Sequence, residues 1–391
     1  MKRHAPARAC AAALLASLVL AGCGGGGTST TDTSLATNTD ASWNWNLPVN
    51  FATPAVPADN PMSEEKFQLG RRLFYDTRLS GNGTQACASC HFQNLAFTDG
   101  KAVSTGSTGQ LTARGAMPIA NSAYHPTLTW ANPTLTSLEK QMEVPLYGTN
   151  PVELGINDGN KAAVLQRFQA YSDYVGRFAR AFPGEAAPLN FTNVIKAIAT
   201  FERGMLSGDS RYDRYQKGQA TLSAAEERGR TLFFGEKAEC FHCHGSFNFN
   251  DQLRHAGTRD VETPFHNTGL YNIDGKGAYP SPNRGVFEIT GKAEDMGAFR
   301  AQSLRNVAVT APYMHDGSLA SLEEVLDFYA AGGRNLTTGP HAGDGRANPY
   351  KSDLISRIDL NAQEKADLIA FLKTLTDESL LTSSRFANPF Q

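Results

Sequence analysis

Two pentapeptides, Cys87-Ala88-Ser89-Cys90-His91 and Cys240-Phe241-His242-Cys243-His244, each set two thiols three residues apart with an imidazole directly behind the second. That spacing lets both sulfurs close thioether bonds to the vinyl groups of one porphyrin while the adjacent histidine reaches the iron, the attachment pattern of c-type haem. A zinc site or a redox dithiol also uses Cys-x-x-Cys, but neither calls for a histidine immediately after the second cysteine, twice in one chain. Two covalently attached c-type haems are therefore expected, held by Cys87, Cys90, Cys240 and Cys243, with His91 and His244 on iron.

Function then turns on the sixth ligand of each iron, because two strong protein ligands make an electron carrier and one open face lets peroxide bind. After His91 the loop to Tyr124 contains no histidine, although it contains Met117, and His125 is the one histidine left before the second half. In that second half Thr310-Ala311-Pro312-Tyr313-Met314-His315-Asp316-Gly317-Ser318 leads into a helix with Ser321 and Glu324 as its capping box. Leu322, Val325, Leu326 and Tyr329 then fall at helical spacing on one face, so Tyr329 points inward. A core tyrosine seeking a hydrogen-bond partner is the plain reading of that residue, and Met314 is the more conventional ligand.

The elements that must position these groups come in two similar sets. Gly70-Arg71-Arg72-Leu73-Phe74 precedes the first motif and Gly229-Arg230-Thr231-Leu232-Phe233 the second, each closing a stretch with helical apolar spacing. Ser223 with Glu226 makes a capping box for the second of these. Asn121 to Leu138-Glu139 is echoed by Asn306 to Leu322-Glu323, so internal duplication is the economical reading. An amphipathic helix is predicted over 192–205, with Val194, Ile195, Ile198 and Phe201 on one face, and a last helix over 362–375, capped by Asn361 with Glu364. Convincing β alternation is scarce. The expected fold is mostly α: two cytochrome-c-like haem domains, 49–215 and 216–391, related by duplication, with long Gly-, Pro- and Asn-rich loops around the porphyrins.

The 391 residues leave ample material for two such cores, and a formal net charge of −2 offers no field to gather nucleic acid or anionic lipid. Lys2, Arg3 and Arg8 followed by the apolar run 11–20 read as a signal peptide over 1–22, too short to span a bilayer. Leu20-Ala21-Gly22-Cys23 resembles the bacterial lipobox, and the Gly, Ser, Thr and Asp that follow cannot repay the entropy of ordering, so 23–48 is expected to be a lipidated tether. A periplasmic protein touching a membrane only through the lipid on Cys23 follows. Cys10 leaves with the signal, so no cysteine remains for a disulfide once both haems are attached.

From about Pro61 to Leu375 the chain resembles the bacterial di-haem cytochrome c peroxidase and MauG superfamily, through its two haem motifs, the Pro312-Tyr313-Met314-His315-Asp316-Gly317-Ser318 turn and the Leu322-Glu323-Glu324 helix. The resemblance implies that Tyr329 is the distal ligand of the second haem, since a methionine there marks the peroxidases and a tyrosine the MauG-like enzymes. It implies an open first haem with a distal glutamate and glutamine, matched by Glu153 in Asn150-Pro151-Val152-Glu153-Leu154-Gly155 and by Gln141 in Ser137-Leu138-Glu139-Lys140-Gln141. Trp130 takes the place of the tryptophan that passes electrons between the haems, although Trp130-Ala131-Asn132-Pro133 departs from the usual Trp-Asp-Gly-Arg. A calcium ion is implied at the main-chain oxygens of Thr310 and Pro312, with Gly115 standing where the family supplies an asparagine and Asn121 nearby.

Within the superfamily, Thr127 to Pro133 and Cys87 to Gly100 look most like the MbnH-type branch. Members of that branch oxidise a tryptophan of an MbnP-like copper-binding partner. The implied function is an enzyme that uses hydrogen peroxide to reach a high-valent two-haem state and oxidises an aromatic residue of a partner protein. Two other functions stay open on the residues: a di-haem peroxidase fed by a small redox protein, and a non-catalytic electron carrier should Met117 or His125 close the first iron.

Overall fold

Short polar side chains start the helices that carry both halves. Ser63 Oγ accepts from the Lys66 amide at 3.2 Å and opens Glu64–Tyr75. Ser223 and Glu226 exchange both capping bonds at the head of Ala224–Phe233, as do Asn361 and Glu364 at the head of Ala362–Lys373. At Leu322–Ala330 the box is only half made: Ser321 caps the Glu324 amide, but the Glu324 carboxylate reaches the Ala320 amide instead. The amphipathic segment forms Phe191–Arg203, within two residues of its predicted ends.

The computed structural model describes residues 43–391, so the signal peptide, the Cys23 lipobox and most of the tether lie outside the described residues. Within them the chain is mostly helical, with twelve α-helices and a single small sheet that pairs Asn335–Leu336 antiparallel with Gly343–Asp344. No helix among the described residues is long and apolar enough to cross a membrane. Trp43, expected in the tether, instead packs on Phe67 with ring centroids 5.3 Å apart, because an indole with an apolar neighbour gains more from burial than from freedom.

The duplication reappears as packing. Glu64–Tyr75 crosses Phe191–Arg203 around a core of Phe67, Phe74, Phe97 and Phe201, and Ala224–Phe233 crosses Ala362–Lys373 around Phe233, Phe249, Leu368 and Phe371. Each crossing is closed by a glycine: a Cβ on Gly70 would lie 1.9 Å from the Ala197 carbonyl oxygen, and one on Gly229 1.9 Å from that of Asp367. Replacing either glycine by alanine should force the helices apart and lower stability by about 1–3 kcal/mol, read as a lower urea midpoint of the holoprotein.

The chain's last turns cross back to the first half. Leu380 and Phe386 join its core, Arg71 Nε donates to the Ala387 carbonyl at 2.7 Å and the Tyr75 hydroxyl to that of Phe386 at 2.8 Å.

Candidate haem sites and their distal residues

Both motif histidines are held the same way. His91 Nδ1 lies 2.6 Å from the Phe97 carbonyl and His244 Nδ1 2.9 Å from that of Phe249. Phe97 and Phe249 both take positive φ, 64° and 53°, in the loop that follows each motif. With Nδ1–H donating, the Nε2 lone pair is left for a metal. Burial holds both imidazoles below their usual range, which keeps them neutral as ligands must be. Burial pushes the Cys90 thiol up to about 11 and that of Cys240 up to about 12, the reverse of the depressed thiol of a redox dithiol.

The second motif opens on a cavity of about 270 Å³, lined by Cys240, Cys243, His244, Met314 and Tyr329 with apolar walls from Leu322, Leu326, Leu368 and Leu372. Tyr329, on Leu322–Ala330, feels the charge of both motif cysteines, and burial drives its phenol well above the ordinary range. No protein group among the described residues hydrogen-bonds its hydroxyl. Three residues bordering this cavity each keep one sealed polar atom without a partner: Arg300 Nε, Gln302 Nε2 and His315 Nε2. An apolar cavity that brings an imidazole, a phenol and two thiols together fits a c-type haem.

At the first motif, burial raises the thiols of both Cys87 and Cys90, and the charge of Glu153 adds to the rise at each, so its carboxylate lies within electrostatic reach of both sulfurs. Its own pKa is raised by burial, and no side chain bonds it. Gln141 sits on Leu138–Tyr147, and the Glu153 loop is fastened back onto that helix by Leu154 N to Pro145 O and Ile156 N to Leu146 O, both 2.9 Å. Gly106 permits the close approach, since a Cβ there would fall 1.8 Å from the Val152 carbonyl oxygen. Sequence reasoning missed Glu202, a buried carboxyl near Cys87 whose pKa burial pushes up to about 8. Its helical position carried the signal: Glu202 comes four residues after Ile198 and seven after Ile195, on the apolar face of Phe191–Arg203.

Of the two residues that could have closed the first iron, His125 is engaged elsewhere. His125 Nε2 is 3.2 Å from the Asn248 amide, just after the second motif. The Met117 main chain lies within hydrogen-bonding reach of His91, as that of Gln302 does for His244, so Met117 sits beside the proximal ligand.

Trp130 lies between the halves. Its Nε1–H donates to the Gly115 carbonyl at 2.9 Å, and its ring stands 6.5 Å from that of His315, which stacks on Phe299 at 3.8 Å. Trp130 and the loop Thr98–Lys101 behind His91 border the same cavity as His244 and Tyr329. Thr310 and Pro312 border it too, Thr310 Oγ1 donating to the Val307 carbonyl at 3.1 Å.

The model of the di-haem cytochrome c peroxidase family matches residues 64–221. Cytochrome-c peroxidase IdrP1 of Denitromonas iodatirespirans is 36% identical over 82% of this chain and 84% of its own length. Methylamine utilization protein MauG of Methylorubrum extorquens is 32% identical over 82% of this chain and 81% of its own. A solved structure of a MauG-like protein associated with microbial copper homeostasis is 63% identical and superposes with a TM-score of 0.89, covering 90% of this chain and all of that one.

Proposed function

The chain belongs to the family of di-haem cytochrome c peroxidases and MauG enzymes, oxidoreductases that carry two c-type haems, and within it we propose that this protein uses hydrogen peroxide to oxidise an aromatic residue, a tryptophan, of a partner protein. The observation that carries this reading is Tyr329: a half-buried phenol with no hydrogen-bond partner among the described residues, lining the same cavity as His244 and the second motif's cysteines. The likeness at 63% identity to a MauG-like protein associated with copper homeostasis supports the same branch and a copper-binding, MbnP-like partner.

When bound, the haems supply the redox chemistry by which peroxide takes up two electrons and two protons to give two waters. Glu153 carries the proton from the near to the far peroxide oxygen, so that the leaving group departs as water, and the Gln141 amide orients the peroxide. Trp130, fixed by Gly115, offers the aromatic path between the halves. Because the electrons can cross at range, the partner's residue need not enter the peroxide pocket. A calcium ion on the main-chain oxygens of Thr310 and Pro312 belongs to the same proposal, with the Gly115 carbonyl already spent on Trp130. So does a periplasmic location with a lipid anchor at Cys23.

The 36% identity to a named cytochrome-c peroxidase favours a second reading, peroxide reduction with electrons from a small redox protein. One experiment separates them. Holoprotein, peroxide and a small exported copper-binding protein with exposed tryptophans should yield a mass change on one tryptophan, located by tandem mass spectrometry. If the partner's tryptophans stay unmodified while a reduced cytochrome or cupredoxin is consumed, the peroxidase reading replaces ours.

A further inference from the structure

Arg300 is 3% exposed, and no carboxylate among the described residues bonds it. Nη1 donates to the Thr127 carbonyl at 3.0 Å, Nη2 to Gln302 Oε1 at 2.9 Å, and Nε has no partner. Asp251 acts on it only at a distance, with one carboxylate oxygen on His266 and the other buried without a partner. A buried guanidinium with no carboxylate in contact is destabilising, so an anion held against it would stabilise the fold. Arg300 borders the cavity that His244 and Tyr329 share.

The duplication sharpens the point. Gly115 to Asn121 aligns with Arg300 to Asn306. Asn121 and Asn306 share the same left-handed backbone, φ 61° and 63°, and bond the carbonyls of Met205 and Leu375, each just past the second helix of its half. Arg300 therefore stands where the first half has Gly115. Both residues clasp Trp130: the Gly115 carbonyl accepts its Nε1–H at 2.9 Å, and its own carbonyl accepts the Arg300 amide at 2.9 Å.

We infer that Arg300 is a positioning residue whose buried guanidinium binds a propionate of the second haem and, through Thr127 and Trp130, fastens the bridging loop of the first half to that haem. The first haem has no such cation at the equivalent place, so the charge acts on one haem of the two. The inference rests on the second haem being attached and does not require partner oxidation.

A positive charge beside a haem disfavours its more positive, oxidised form, so Arg300→Gln should lower the second haem's midpoint potential. At fixed applied potential the oxidised-to-reduced ratio of the six-coordinate haem should rise about tenfold, which is 59 mV for one electron. The first haem should move much less. Arg300→Lys keeps the charge and should stay near the wild-type potential. Equal potentials in wild type and Arg300→Gln overturn the inference. If Arg300→Gln accumulates without its second haem, Arg300→Lys decides: recovered attachment and potential support the role, and a lysine variant no better than glutamine refutes it.

Discussion

Replacing Glu153 by glutamine should slow oxidation of the ferric holoprotein by peroxide by about 100-fold or more, the scale that a positioned general acid–base contributes. The substitution keeps the side chain's length and its place between Val152 and Leu154, so the fastening of that loop to Leu138–Tyr147 should survive. What it removes is the ability to take a proton at one oxygen and return it at another. Burial raises the Glu153 pKa, because an ionised carboxylate loses solvation in this pocket. The sign of the pH effect follows. Below the raised value the group is already protonated and cannot accept from peroxide, so the wild-type rate constant should fall as pH is lowered through it, and the glutamine variant should lack that limb. Stopped-flow spectra across pH read both effects. Unchanged kinetics in Glu153→Gln would remove the residue from the chemistry and leave the raised pKa a by-product of burial.

The parts of this molecule legible in its sequence are those fixed by local geometry. Cys87 to His91 and Cys240 to His244 declare themselves because thioether spacing is a property of five consecutive residues, and Ser223 with Glu226 declares a helix start because both capping bonds close within one turn. Tyr329 is different in kind. Its period along Leu322–Ala330 places it inward, but whether an inward tyrosine is packing or a ligand depends on what faces its hydroxyl, and that is decided by His244, 85 positions earlier in the chain. Arg300 was passed over for a related reason. A charged residue in a loop reads as solvated, and only its contacts with Thr127 and Gln302 show the guanidinium to be inside. The duplication held a usable clue, since glycine opposite arginine in otherwise aligned halves marks a place where the two sites differ.

The Tyr329 prediction tests that asymmetry at its strongest point. An apolar pocket pushes this phenol toward its neutral form, so it can be anionic only if a cation bound directly to its oxygen compensates, as ferric iron held by His244 would. A phenolate ligand favours the oxidised metal, whereas a thioether favours the reduced one. Tyr329→Met should therefore raise the second haem's potential by on the order of 120 mV or more, a hundredfold change in the oxidised-to-reduced ratio at 59 mV per tenfold. Tyr329→Phe, with no ligating atom, should abolish the low-spin ferric signal of that haem or shift it, with Met314 on the same cavity wall as the available substitute. The high-spin signal of the first haem should persist in both variants. In both, peroxide should still be consumed with a small reductant while tryptophan oxidation on a partner is lost, because the peroxide pocket is intact and the second site no longer holds its oxidised state. Should both variants keep the wild-type low-spin spectrum, Tyr329 is a core tyrosine, the second iron has another ligand, and the case for a peroxidase over a MauG-like oxidase strengthens accordingly.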